Sequence, residues 1–279
     1  MSIFQKLFGK GKKPKVRYSF SGKGEFDYSA YPENFIVKMV SGIDYTVKRG
    51  DETFSFSVCL KPDRLMDSYG SCRVIWNHIV RETRELRPKK LVPYLVHADG
   101  RDYLYMYEHR ADDVTCSSIG FTELNDGEYV SYSDYTQKGF LSEPTDPSHV
   151  LIAKRINILG SVYASVEYHV AEHGKLVENE KKEYYYCDEK FRKQKFVTEE
   201  NCRVLVFASR DSTEGTEQTL PVGSVFTRLR TDDVESTDLL LEDGRVFRVT
   251  ERYLFSEPRP FMELTCADGG RFEYKELAE

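Results

Sequence analysis

His169-Val170-Ala171-Glu172-His173 spells H-x-x-E-H, a spacing that can do metal chemistry. On a helix, residues four apart share a face, so both imidazoles could hold one zinc ion while Glu172 acts as base on a bound water. A third ligand would have to be a downstream acid, with Glu235, Glu242 and Glu251 as candidates. The surrounding pattern favours strand. Val162, Ala164, Val166, Tyr168 and Val170 alternate strictly, and His173-Gly174 suits a turn into a strand at Leu176. On a strand His169 and His173 would lie roughly 13 Å apart, too far to share a metal.

A second cluster is aromatic. Asp99-Gly100 is a two-residue hairpin turn, and the segments Leu91–Ala98 and Arg101–Glu108 flank it. Counting outward pairs Ala98 with Arg101, Val96 with Tyr103, Tyr94 with Tyr105 and Val92 with Tyr107. The other face pairs His97 with Asp102, Leu95 with Leu104 and Pro93 with Met106. Tyr94, Tyr103, Tyr105 and Tyr107 thus form a stripe, readable either as a binding face or as cross-strand packing. His97 and Asp102 read as a cross-strand pair, not a catalytic dyad. The acidic pairs Asp112-Asp113 and Asp232-Asp233 read as loop caps or solvated charge. P-loop, Rossmann, G-x-S-x-G and kinase signatures are absent from the sequence.

The elements that would carry these residues are largely strands. Tyr (19) and Phe (17) are plentiful against one Trp, a composition suited to half-buried sheet surfaces. Phe35–Val40 is a strand, and Phe54, Phe56, Val58 and Leu60 alternate after a turn at Arg49-Gly50-Asp51. From 71 to 87 the spacing of Cys72, Ile75, Ile79 and Leu86 predicts an amphipathic helix packed through Trp76 and stopped by Pro88. Asn125-Asp126-Gly127 marks another turn. Residues 209–219 contain no large apolar side chain and read as a linker. Beyond it, short strands and the Asp243-Gly244 turn, expected to place Glu242 opposite Arg245, suggest a small barrel.

The expected fold is therefore α+β and β-rich. It has a basic amphipathic tail (1–15) and a domain (16–208) built on an antiparallel sheet with one main amphipathic helix. A linker (209–219) and a small all-β, SH3-like or OB-like barrel (220–279) follow. The net charge is −6, yet the first 15 residues hold five lysines and no acid, so the other 264 carry −11. That balance argues against a nucleic-acid partner and for a basic protein partner. The tail, with Ile3, Phe4, Leu7 and Phe8 on one side, is a candidate for weak peripheral membrane contact. The chain shows neither a secretory h-region nor an apolar run of membrane-spanning length, so it is expected to be cytoplasmic, with its six scattered cysteines as free thiols. The functional expectation is a non-enzymatic interaction protein (adaptor, accessory or inhibitor) with an acidic, tyrosine-rich β surface and no cofactor. The alternative is the zinc-dependent hydrolase.

Overall fold

A computed structural model describes residues 20–62, 70–84, 90–109, 117–124, 131–132, 138–254 and 261–277. The chain runs through β1 (Gly22–Asp27), β2 (Phe35–Lys38), β3 (Ile43–Arg49), β4 (Glu52–Pro62), β5 (Gly70–Trp76) and β6 (Ile79–Arg84). It continues as β7 (Leu91–Ala98), β8 (Arg101–Glu108), β9 (Ser118–Glu123), β10 (Ser131–Tyr132), β11 (Lys138–Phe140), β12 (Val150–Asn157), β13 (Ser161–Val170) and β14 (Leu176–Glu178). β15 (Tyr185–Tyr186) leads into the one-turn helix α1 (Glu189–Arg192), then β16 (Lys195–Thr198), β17 (Cys202–Phe207) and β18 (Gly215–Leu220). Last come β19 (Val225–Thr231), β20 (Ser236–Leu241), β21 (Val246–Leu254), β22 (Phe261–Thr265) and β23 (Tyr274–Glu276).

These strands make four sheets. The first has the order β1-β3-β4-β5-β6, the second β10-β9-β8-β7-β2, and the third β11-β12-β13-β14. The fourth is nine-stranded, β18-β17-β21-β20-β19-β16-β23, with β15 on β19 and β22 on β21. Apart from the parallel β1–β3 pair, the pairings are antiparallel.

The β7–β8 hairpin forms in the register its turn dictates, from Leu91 opposite Glu108 to Ala98 opposite Arg101. Asp99 and Gly100 both adopt positive φ, 51° and 72°, as such a turn requires. Its two faces serve two cores. Leu95 and Leu104 pack with Phe35, Phe56, Val58 and Trp76 against the first sheet. Tyr94, Val96, Tyr103, Tyr105 and Tyr107 pack with Ile152, Val162, Val166 and Tyr168 of the third sheet, in a cluster that extends to Phe226 and Phe247 of the fourth. The second sheet is thus a middle layer buried on both sides.

Several expectations are corrected here. Residues 71–84 form a hairpin, not an amphipathic helix: β5 and β6 pair around Asn77-His78, both at positive φ (43° and 70°). Cys72, Val74 and Trp76 are buried at alternate positions, the period of a strand. None of the sheets closes into a barrel. The strands beyond 220 join β15 to β18 in the nine-stranded sheet. Residues 215–220 are β18 itself, an edge strand whose side chains are exposed up to Leu220. At Asp243-Gly244 the loop is one residue longer than expected. Leu240 pairs with Val246, Gly244 takes φ 89°, and Glu242 does not face Arg245.

Cys202 and Cys266 form a disulfide across 64 residues, correcting the reading of six free thiols. Cys59, Cys72 and Cys187 are free and buried. Among the described residues no helix is long and apolar enough to cross a membrane. The basic tail, the turn at 125–127, Asp112-Asp113 and Cys116 lie outside the described residues.

Candidate functional site

His169 sits near the end of β13 with its side chain on the outer face of the third sheet. The chain then turns through Glu172–Gly174, where His173 takes φ 59°, and returns as β14 with Val177 opposite His169. Gly174 is needed at that turn. Its φ is +76°, and a Cβ there would come within 2.6 Å of the Tyr103 ring.

The hairpin overturns the helical premise of the zinc site. His169 Nδ1 lies 2.8 Å from Asn179 Oδ1, whereas His173 sits 3.5 Å from Glu123 Oε2 and 3.7 Å from Glu172. Glu172 is exposed on the turn. Among the described residues no group of three His, Cys, Asp or Glu side chains is placed to hold a metal ion.

His169 nonetheless occupies a defined place. It lines a cleft of about 330 Å³ between the second and third sheets, with Asn34, Asp99, Ser148 and Asn179 as the other polar walls. Asn179 is held by its amide nitrogen, which donates to the Ser148 carbonyl at 2.9 Å. That bond turns Oδ1 towards His169, so Nδ1 carries the proton that it donates to Asn179. On the same face His149 Nδ1 meets Glu167 Oε1 at 2.9 Å, and the Asn179 N–H donates to the Glu167 carbonyl at 3.0 Å. The hydrogen bond and charge of Glu167 push the His149 pKa up, and the same bond holds Glu167 low. Leu151 (41% exposed) and Val177 (39%) flank this polar strip.

The tyrosine stripe is not a surface. Tyr94, Tyr103, Tyr105 and Tyr107 are each less than 5% exposed because the third sheet covers the face they occupy. The Tyr105 hydroxyl donates to the Gly174 carbonyl, tying the stripe to the turn beside His169. Burial raises the Tyr105 pKa strongly and pushes Tyr94 up to about 12.

Two buried polar clusters join the layers, and a third lies within the fourth sheet. Asp102, fully buried, accepts from Tyr28 (2.8 Å) and Arg49 (2.8 Å) and pairs with His97 Nδ1 (2.7 Å), joining the first and second sheets. His97 opposite Asp102 is the cross-strand pair expected.

Glu178 accepts from Tyr185 (2.6 Å), Tyr168 (2.9 Å) and Lys154 (3.1 Å), joining the third sheet to the fourth. Burial alone would raise the Glu178 pKa, but these bonds outweigh it and hold the carboxyl low. Lys154 also reaches Asp233 at 3.3 Å. Asp232 caps its loop, accepting from the N–H groups of Val234, Glu235 and Ser236. Asp232-Asp233 is therefore the loop device its sequence suggested.

In the third cluster, Arg230 and Arg248 share buried Asp238 on the fourth sheet. Sequence reasoning missed Asn179 and Ser148 beside His169, and this arginine pair. The turn at His173-Gly174 was the available signal for Asn179, because it sets β14 back alongside β13. Compared with known proteins, the chain matches no family model, no curated protein and no solved structure.

Proposed function

We propose that this is a non-enzymatic binding protein that docks a basic protein partner on the outer face of its third sheet, beside the His169 cleft. The observation that carries the reading is the strip formed by His149, Glu167, Asn179 and His169, already fixed by its own hydrogen bonds and edged by exposed Leu151 and Val177. Groups held in place before contact lose little freedom on binding, and exposed aliphatics beside them supply area to bury. The side-chain charge of −11 on residues 16–279 favours a basic partner and speeds its approach.

The test uses paired baits: wild type beside Leu151→Asp and Val177→Asp, with melting temperatures measured first. The expected result is a partner captured by wild type, bound at least tenfold more weakly by either variant, with an association rate that falls as salt rises. Equal capture by all three baits would overturn the assignment of this face.

A further inference from the structure

The fourth sheet carries a cation that its own acids leave uncompensated. A row of cross-strand neighbours runs Tyr186, Arg230, Asp238, Arg248. Arg230 Nε donates to Asp238 Oδ2 at 2.8 Å. Arg248 takes both carboxylate oxygens, through Nε at 2.7 Å and Nη2 at 3.1 Å. Two guanidiniums against one carboxylate leave a net charge of +1. Among the described residues neither arginine forms a second ion pair. Arg230's side chain is 10% exposed, Arg248's 24% and Asp238's 0%, so water screens the excess charge poorly.

The hydrogen-bond inventory points the same way. Arg230 Nη1 donates to the Tyr186 hydroxyl at 2.9 Å, and Arg248 Nη2 to the Tyr184 hydroxyl at 2.8 Å. Each guanidinium has five N–H donors. Three on Arg230 and two on Arg248 then have no acceptor among the described residues. Both phenols, acting as acceptors, keep their own O–H to donate. The site therefore offers donors and positive charge and asks for acceptors and negative charge.

Aromatic rings hold these donors still. Arg230 lies 4.2 Å from the Tyr184 ring centroid, and Arg248 lies 5.4 Å from Tyr184 and 5.0 Å from Phe207. Tyr186, 43% exposed, forms the open side.

We propose that Arg230, Arg248, Tyr184 and Tyr186 form a binding site for a tetrahedral oxyanion, a phosphoryl or sulfo group. Paired guanidiniums match the spread oxygens of such a group, and one bound anion offsets the excess charge. This site lies on a different sheet from the His169 face and stands independently of the function proposed for it.

The test is titration calorimetry with inorganic phosphate, sulfate and methyl phosphate, each against sodium chloride at matched ionic strength. Wild type is expected to bind one equivalent saturably. Arg248→Met should weaken binding at least tenfold, and Tyr186→Phe, an exposed change that keeps the ring, several-fold. Val177→Asp should bind as wild type does. Methyl phosphate binding as well as phosphate would identify the ligand as a group on a larger molecule. Methyl phosphate failing where phosphate binds would identify the free ion. No saturable heat above the chloride control would overturn the proposal, as would wild-type affinity in both Tyr186→Phe and Arg248→Met. Should Arg248→Met fail to fold, Tyr186→Phe with Tyr184→Phe decides.

Discussion

Asp102→Ala removes the carboxylate that joins the first sheet to the second. The cost can be worked from three of its partners, Arg49, Tyr28 and His97. Arg49 is 33% exposed and keeps Glu52 at 2.8 Å, so it loses little. The Tyr28 hydroxyl, whose pKa burial and Asp102 raise, loses its acceptor in a part-buried place, and His97 loses the group that orients it. Hydrogen bonds to a charged group contribute about 1.5–3 kcal/mol each, and breaking a buried polar network costs about 3–5 kcal/mol. We expect a loss of about 4 kcal/mol, or roughly 10 °C in melting temperature for a chain of this size. Trp76 is the single tryptophan, buried in the same core against Phe54 and Phe56, so its fluorescence follows this layer through a urea titration. Asp102→Asn, which keeps one acceptor oxygen, should lose about half as much. A loss under about 1 kcal/mol for Asp102→Ala would rule out this role for the cluster, because a buried carboxylate that accepts from several donors cannot be removed so cheaply.

The disulfide predicts two more titratable thiols in the denatured chain after reduction than before it. Cys202→Ser should cost up to about 4 kcal/mol of oxidised-state stability, given a closed loop of 64 residues. Gly174→Ala should destabilise by about 2–4 kcal/mol in chemical denaturation, since it combines a positive φ with a clash on Tyr103. Glu178→Gln should destabilise at neutral pH. The folded carboxyl titrates below its ordinary 4.5, so its contribution is complete above that value and lost as pH falls through the lowered one. The difference between variant and wild type in melting scans should therefore shrink as the pH falls below 4.5.

Local turn chemistry made much of the fold legible. Asp99-Gly100 set the whole register of β7–β8, and alternation from Val162 to Val170 marked β13 as a strand and so removed the helix a two-histidine zinc site needs. The errors came where a local pattern admits two readings. Cys72, Ile75 and Ile79 happen to fit a helical stripe, and Asn77-His78 is a weaker turn signal than Asp-Gly, although the β-branched run Val74-Ile75 and Ile79-Val80 leaned towards strand. β18 looks like a linker because an edge strand exposed on both faces has no apolar period to read. The tyrosine stripe stayed open between two readings for a different reason. Nothing within β7–β8 tells that a third sheet will cover them. The Cys202–Cys266 bond, the Tyr28 and Arg49 contacts of Asp102 and the Arg230–Asp238–Arg248 group join residues by tertiary packing or by register, and sequence spacing does not announce them.

The claim that the outer face of the third sheet is the working surface is tested most directly by site-specific photo-crosslinking in cell extract. A benzophenone side chain at Val177, 39% exposed on that face, is compared with one at Val222, 58% exposed on the fourth sheet's periphery. A discrete, salt-sensitive crosslinked product is expected from Val177 and none from Val222. The same products from both positions, or none from Val177, would contradict it.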